Sequence, residues 1–201
     1  MQIDYAGGSC LSFRTKNLTI LTDPPENPGK GMKFDADVIL ESILTDRVEF
    51  SGLLKSGAQP RVFARPGEYE VRGVSMSGIE ILPTEDEPNT YHTIFHLQIE
   101  DLDVCYLGNL RILPDMDIWE ETGTMDVLVT PADGSLPSKA ISEMISLLRP
   151  KIVIPTQVSS AEEVTAFATL LGLGEPELVP SLKVTNKELG EKTRLVGILA
   201  V

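Results

Sequence analysis

Short runs of apolar and β-branched residues, cut apart by glycine, proline and asparagine, fill the first half of the chain, and helical periodicity enters only in the last third. Residues 1–5, 10–14 and 18–22 are apolar-rich segments separated by Gly7-Gly8 and Lys16-Asn17, the turn chemistry of an antiparallel meander. Val38-Ile39-Leu40 is a compact strand of the kind buried on both faces. Residues 45–57 predict a short helix with Val48, Leu53 and Leu54 on one side, although Gly52 weakens it. The strand signal then returns at 61–64, 69–72, 74–82, 91–100 and 104–107, punctuated by Pro66-Gly67, Gly73 and the proline-flanked stretch 83–88.

Strand and helix alternate in the last third. The runs at 127–129 and 152–154 are short and β-branched, and each precedes a helical stretch. Between them Ile141, Met144, Ile145 and Leu148 recur at i, i+3, i+4 and i+7, one apolar helical stripe. Ser159 with Glu162 three residues on has the form of a capping box. Val164, Phe167, Ala168 and Leu171 make the next apolar face, and Gly172 is placed to end that helix. Lys183-Val184 and 195–201 read as closing strands. Strands in runs with helices interposed late predict an α/β sandwich of mixed sheets in one domain, 1–201.

Composition narrows the partners. With 42% hydrophobic residues over 201 positions, a sizeable core forms without staples. Against 17 Lys+Arg stand 30 Asp+Glu, a formal charge of -13 that opposes binding to nucleic acid or an anionic membrane. Cys10 and Cys105 lie far apart with no C-x-x-C spacing, so neither a zinc ribbon nor a disulfide framework is indicated. The N-terminus lacks the basic start and apolar middle of a secretory signal, and no apolar run approaches the roughly 20 residues that cross a bilayer. A cytoplasmic protein is expected. Only two histidines, His92 and His96, are present, and imidazole is the commonest ligand for catalytic zinc.

Seven segments in order and spacing resemble the metallo-β-lactamase superfamily. They are residues 5–11 (Tyr-Ala-Gly-Gly-Ser-Cys-Leu), Leu21-Thr22-Asp23-Pro24, Asp35-Ala36-Asp37-Val38-Ile39-Leu40, residues 65–71 (Arg-Pro-Gly-Glu-Tyr-Glu-Val), Thr93-Ile94-Phe95, residues 105–110 (Cys-Tyr-Leu-Gly-Asn-Leu) and Ile152-Val153-Ile154-Pro155. The branch they are most similar to holds small bacterial metal-dependent hydrolases, including the L-ascorbate-6-phosphate lactonases. The resemblance implies an αββα sandwich: two mixed sheets face to face, flanked by helices, with a metal site at one edge where strand ends meet. Zinc in such a site lowers the pKa of bound water toward 7, so that hydroxide attacks a carbonyl or phosphoryl centre.

At each place where the family supplies a ligand, this chain departs from it. The family's Gly-His-Ser-Cys is Gly7-Gly8-Ser9-Cys10, with Gly8 at the histidine position. The signature His-x-His-x-Asp-His falls on Ile43, Thr45, Arg47 and Val48, with Asp46 between. The Gly-Asp before the middle helix is Gly108-Asn109, and the late histidine aligns with Gln157. Arg47 brings a permanent cation to the place of a dication, while Asn109 and Gln157 keep the power to hydrogen-bond. The scaffold is expected to be kept and the metal chemistry dropped.

His92 and His96 share one face of a strand but stand about 13 Å apart along it, too far to bind one ion, and read as a solvated or hydrogen-bonded strand face. Asp23, Asp46, Glu49 and Asp133 are carboxylates for an all-oxygen magnesium site. Asp23 also resembles the family's buttressing aspartate, or ties a turn through its own side chain. Ser9 with Cys10 suggests a nucleophile, but no base is near, and Cys10 reads as a buried strand residue. Arg47 has a structural alternative, an ion pair with a neighbour such as Glu49.

The expected function is that of a catalytically degenerate member, with no catalytic residue, metal ligand or cofactor. A vestigial cleft of Gly8, Asp23, Thr45, Asp46, Arg47, Asn109, Asp133 and Gln157 would bind a small-molecule ligand, or the protein would work as a homo-oligomer or interaction subunit. The alternative is a hydrolase of a small ester, lactone or phosphodiester with a weakly bound divalent metal, acting through Asp46 or Asp133.

Overall fold

The computed structural model describes residues 1–26, 33–44, 50, 53–55, 57–83, 90–111 and 123–199. Its strands are β1 (Gln2–Gly7), β2 (Cys10–Arg14), β3 (Thr19–Thr22), β4 (Val38–Leu40), β5 (Arg61–Phe63), β6 (Gly67–Val71), β7 (Val74–Ile81), β8 (His92–Ile99), β9 (Leu102–Tyr106), β10 (Val127–Pro131), β11 (Ile152–Thr156), β12 (Glu177–Val179), β13 (Leu182–Lys183) and β14 (Arg194–Ile198). The helices are α1 (Ser138–Leu148) and α2 (Ala161–Leu171).

Two mixed sheets form. The first runs β13-β1-β2-β3-β4-β5: the meander pairs antiparallel as its turns require, and β3, β4 and β5 continue parallel. The second runs β12-β14-β11-β10-β9-β8-β7-β6, parallel from β12 to β9 and antiparallel beyond. Alternate residues of the facing strands fill the space between the sheets, with Ile3, Phe13, Ile20 and Leu40 meeting Phe95, Leu97, Tyr106, Val129 and Ile154. All of β4, β10 and β11 is buried, as expected of strands covered on both faces.

The two outer faces are covered differently. On the second sheet lie α1 and α2, whose stripes of Ile141, Met144 and Leu148, and of Val164, Phe167 and Ala168, pack over Leu128, Val153 and Leu195. Over the first sheet, Phe50, Leu53 and Leu54 cover Cys10, Leu21 and Ile39. Of the helix expected at 45–57, only Phe50, residues 53–55 and Gly57 belong to the described residues. Leu53 and Leu54 donate their backbone N–H groups to the Phe50 carbonyl at 2.9 and 3.1 Å, and Leu54 bridges to Phe34. Residues 45–49, 51–52 and 56 lie outside the described residues.

Two boundaries also differ from expectation. The cap of α2 is Ser160, whose hydroxyl accepts from the Glu163 N–H at 3.3 Å, and the Glu163 carboxylate accepts from the Ser159 N–H at 2.6 Å. The reciprocal pattern is therefore Ser160 with Glu163, one residue later than Ser159 with Glu162. Strand β12, between Pro176 and Pro180, is not among the strands expected from the sequence. Among the described residues no helix is long and apolar enough to cross a membrane.

One connection ties the two sheets directly. Beyond β4 the Ser42 carbonyl accepts from the Thr93 N–H at 2.8 Å, the Leu44 N–H donates to the Tyr91 carbonyl at 3.2 Å, and Ile43 bridges antiparallel to His92.

Candidate functional site

Next to that seam, the ends of β3, β9, β10 and β11 meet the β1–β2 turn, and four polar side chains come together there. Ser9 Oγ lies 2.7 Å from the Asn109 side-chain amide. The Gln157 amide lies 3.1 Å from Ser9 Oγ and 2.6 Å from the Asn109 amide, and its other side faces the Asp133 carboxylate. A carboxylate only accepts, so Gln157 turns its nitrogen to Asp133 and its oxygen to Ser9 and Asn109. Asn109 then donates its amide N–H into the ring. The Gln157 backbone is fixed as well: its N–H donates to the Gly8 carbonyl at 2.7 Å, and its φ is 59°, a left-handed conformation unusual for a residue other than glycine.

A second layer supports the first. Asp23, at φ 35°, accepts from the Ser42 N–H and from Ser42 Oγ, each at 2.6 Å. The Tyr106 hydroxyl lies 2.5 Å from Asp23 Oδ2 and 2.7 Å from the Ser9 carbonyl oxygen, and the Asn109 N–H donates to Ser42 Oγ at 3.0 Å. Asp23 thus joins β3 to β4 and β9 and does not merely close a turn. Gly108 makes this contact possible, since a Cβ there would sit 2.1 Å from the Ser42 Cβ.

Electrostatics follow from burial. Loss of hydration pushes the Asp23 carboxyl above the ordinary carboxylate value; the Ser42 and Tyr106 donors, and charge at His92, pull the other way. Burial, then the neighbouring Asp23, push the Tyr106 phenol well above its usual value. Burial raises the Cys10 and Cys105 thiols to about 12, which removes a thiolate nucleophile at neutral pH and leaves both as core residues.

The structure brings Gly8, Asn109, Asp133 and Gln157 together, with Asp23 beneath them. Asp133 is exposed, and its Oδ1 also accepts from the Ser135 N–H at 3.0 Å. Thr45, Asp46, Arg47 and Glu49 lie outside the described residues, and so does any pairing of Arg47 with Glu49. Ile43, at the first signature position, pairs with His92. His96 matches the hydrogen-bonded strand face, with its Nε2 2.7 Å from Asp103 Oδ1. His92, at 1% exposure, is a buried position on that face and not a solvated one. Its place behind the site depends on the seam between the sheets, which leaves no local trace in the sequence. Ser42 and Tyr106 enter the network without a signal in the sequence, and Ser9, considered there as a nucleophile, enters it as a hydrogen-bonding partner of Asn109.

Zinc asks for deprotonated imidazole, thiolate or carboxylate donors. The residues that converge here offer two neutral amides, a hydroxyl and one carboxylate, each already bonded to another. Among the described residues no group of three or more His, Cys, Asp or Glu is placed to hold a metal ion. The donor set does not fit zinc.

Comparison with known proteins places this site in a lineage. A family model described as the β-lactamase superfamily domain matches residues 2–157. The chain belongs to the metallo-β-lactamase superfamily. A Thermotoga maritima protein assigned to the superfamily's Zn-dependent hydrolases is 27% identical, with a TM-score of 0.80 over 100% of this chain and 99% of that one. A Parabacteroides distasonis protein assigned as a metal-dependent hydrolase is 15% identical, with a TM-score of 0.62 over 83% of this chain and 87% of its own. The metallo hydrolase Igni18 from Ignicoccus hospitalis is 15% identical, with a TM-score of 0.60 over 85% of this chain and 90% of its own. The last two show a shared metallo-β-lactamase fold. No curated protein is similar enough to match. In this metallo-β-lactamase-fold chain, the amide cluster stands at the sheet edge where the resemblance implied metal ligands.

Proposed function

We propose that this superfamily member has exchanged its metal centre for a hydrogen-bonded amide cluster and works by binding a small molecule. The observation that carries this reading is the ring of Ser9, Asn109 and Gln157, with Asp133 accepting from Gln157 at its side. Neutral amides stand where the family has ionisable ligands, and a closed ring of hydrogen bonds costs free energy to open for a cation. The left-handed backbone at Gln157 and Asp23 aims the Gln157 amide into the cluster and the Asp23 carboxylate at Ser42 and Tyr106 beneath it.

Elemental analysis of the purified protein, with assays on ester, lactone and phosphodiester probes in added zinc, manganese and magnesium, tests the reading. The expected result is metal-free, inactive protein whose unfolding midpoint a chelator does not move. Zinc, manganese or iron retained stoichiometrically through gel filtration overturns it.

The second reading is a hydrolase with an unorthodox site. It draws on the 27% identity to the Thermotoga maritima protein over nearly the full length of both chains, and on the exposed Asp133 carboxylate beside Gln157. A metal-stimulated activity lost in Asp133→Asn would establish it.

A further inference from the structure

Beside the amide cluster, at the same end of the sandwich, a separate cavity of about 350 Å³ opens between the two sheets. That is the small end of the roughly 300–1,000 Å³ typical of ligand pockets. One wall is the chain just beyond β5, with Arg65 and Pro66; the other walls bring Leu44 from beyond β4, Glu80 from β7, and Tyr91 and Thr93 from the start of β8.

The Arg65 wall is built rather than loose. Its carbonyl accepts from the Tyr69 hydroxyl at 2.8 Å, and the Tyr69 ring stacks on Phe63 with centroids 4.2 Å apart. Gly78 lets this wall lie against β7, because a Cβ there would fall 2.7 Å from the Arg65 carbonyl oxygen and 3.0 Å from Thr93 Cγ2. Thr93 is itself fixed by the seam to Ser42. The backbone that carries the guanidinium is therefore pinned before any ligand arrives, which lowers the ordering cost of binding.

Two opposite charges face this cavity. Among the described residues neither the Arg65 guanidinium nor the Glu80 carboxylate makes a hydrogen bond or ion pair, with each other or with a third group. A guanidinium takes a carboxylate through two parallel N–H donors, and a carboxylate takes an ammonium. Glu80 also repels a dianion such as a phosphate monoester. Between the charges Leu44, Pro66 and Tyr91 present apolar surface, with Leu44 36% and Tyr91 46% exposed to receive it.

From this arrangement we infer that the cavity binds a small zwitterion of the amino-acid class, with its carboxylate on Arg65, its ammonium at Glu80 and its apolar side chain against Leu44, Pro66 and Tyr91. This deepens the small-molecule reading by naming the ligand class, and it uses none of the amide cluster. The metal assay and the binding assay can thus fail independently.

The test is isothermal titration of the full chain with L-phenylalanine, L-leucine and L-methionine, and with 3-phenylpropionate and phenethylamine, which each lack one of the two charges. At least one amino acid should bind. L-phenylalanine should exceed both truncated probes by roughly ten- to hundredfold, the value of a charge-assisted hydrogen bond at each end. Arg65→Met should lower the affinity for L-phenylalanine and leave that for phenethylamine unchanged; Glu80→Gln should lower it and leave 3-phenylpropionate unchanged. Both side chains are exposed, so both variants should fold, which circular dichroism checks. The inference is overturned if none of the three amino acids binds, if 3-phenylpropionate binds as well as L-phenylalanine, or if neither variant changes amino-acid affinity.

Discussion

The Tyr106 hydroxyl lies 2.5 Å from Asp23 Oδ2, and the same oxygen lies 2.7 Å from the Ser9 carbonyl. A phenol has one proton, and the Ser9 carbonyl only accepts. One hydroxyl therefore holds the β1–β2 turn and the end of β3 to the end of β9. Replacing it by Tyr106→Phe leaves buried acceptors short of a donor, and the expected loss is about 1–3 kcal/mol in urea unfolding. A variant as stable as the parent would remove this bond from the account of the site.

Asp23 gives the protein a pH signature. Its carboxyl holds its proton more tightly in the fold than in the unfolded chain, whose value is near 3.8, so the folded state binds more protons between the two values. The contribution of Asp23 to stability is then largest below 3.8 and declines as pH rises through its raised folded value. Unfolding midpoints measured across that range for the parent and Asp23→Asn should show the parent losing ground to the variant as pH increases. Parallel curves would show that Asp23 titrates as it does in water.

Gly108→Ala should cost at least about 2 kcal/mol, from a left-handed backbone that disfavours a side chain and from overlap with Ser42. Those sources separate: the φ of 61° stays, while Ser42→Gly removes the atom 2.1 Å away. Ser42→Gly also removes the hydroxyl bonded to Asp23 and Asn109, so the double variant should lose less in thermal denaturation than the two single variants summed. Strict additivity would assign the whole cost of Gly108→Ala to the backbone.

Restoring ionisable donors should restore metal binding. In Asn109→Asp with Gln157→His, a carboxylate and an imidazole would join Asp133, three donors of the kind zinc prefers. Titration should show zinc binding near one equivalent in the double variant and none in the parent. Parent protein that takes up zinc equally well would end the proposal of an exchanged site.

Cys10 and Cys105 should resist a thiol reagent at pH 8 in native protein and react rapidly in denaturant, since burial holds both thiols near 12. Fast native labelling would place a thiol at the surface.

Much of this was readable from local pattern. The Gly7-Gly8 turn, the apolar β4 and the stripe of α1 each depend on neighbours in sequence, and each formed as expected. The amide cluster was legible only as a set of departures, Asn109 and Gln157 among them, from a pattern of ligands. Their mutual bonding needed the fold, because Ser9 and Gln157 are 148 residues apart. That His92 is buried needed the fold for the same reason. A strand pattern tells which side chains share a face, but not that the chain beyond β4 closes over the end of β8. The cap of α2 slipped by one residue because Ser159 and Ser160 are adjacent, each with a glutamate three residues on.

The pairing of Ile43 with His92 bears on how the molecule can move. Two sheets held only by interdigitated side chains can shear past each other by small rotamer changes, but here backbone hydrogen bonds cross from one layer to the other beyond β4. Sliding would have to break those bonds first. The seam is thus a welded joint that resists shear between the layers at this end of the sandwich.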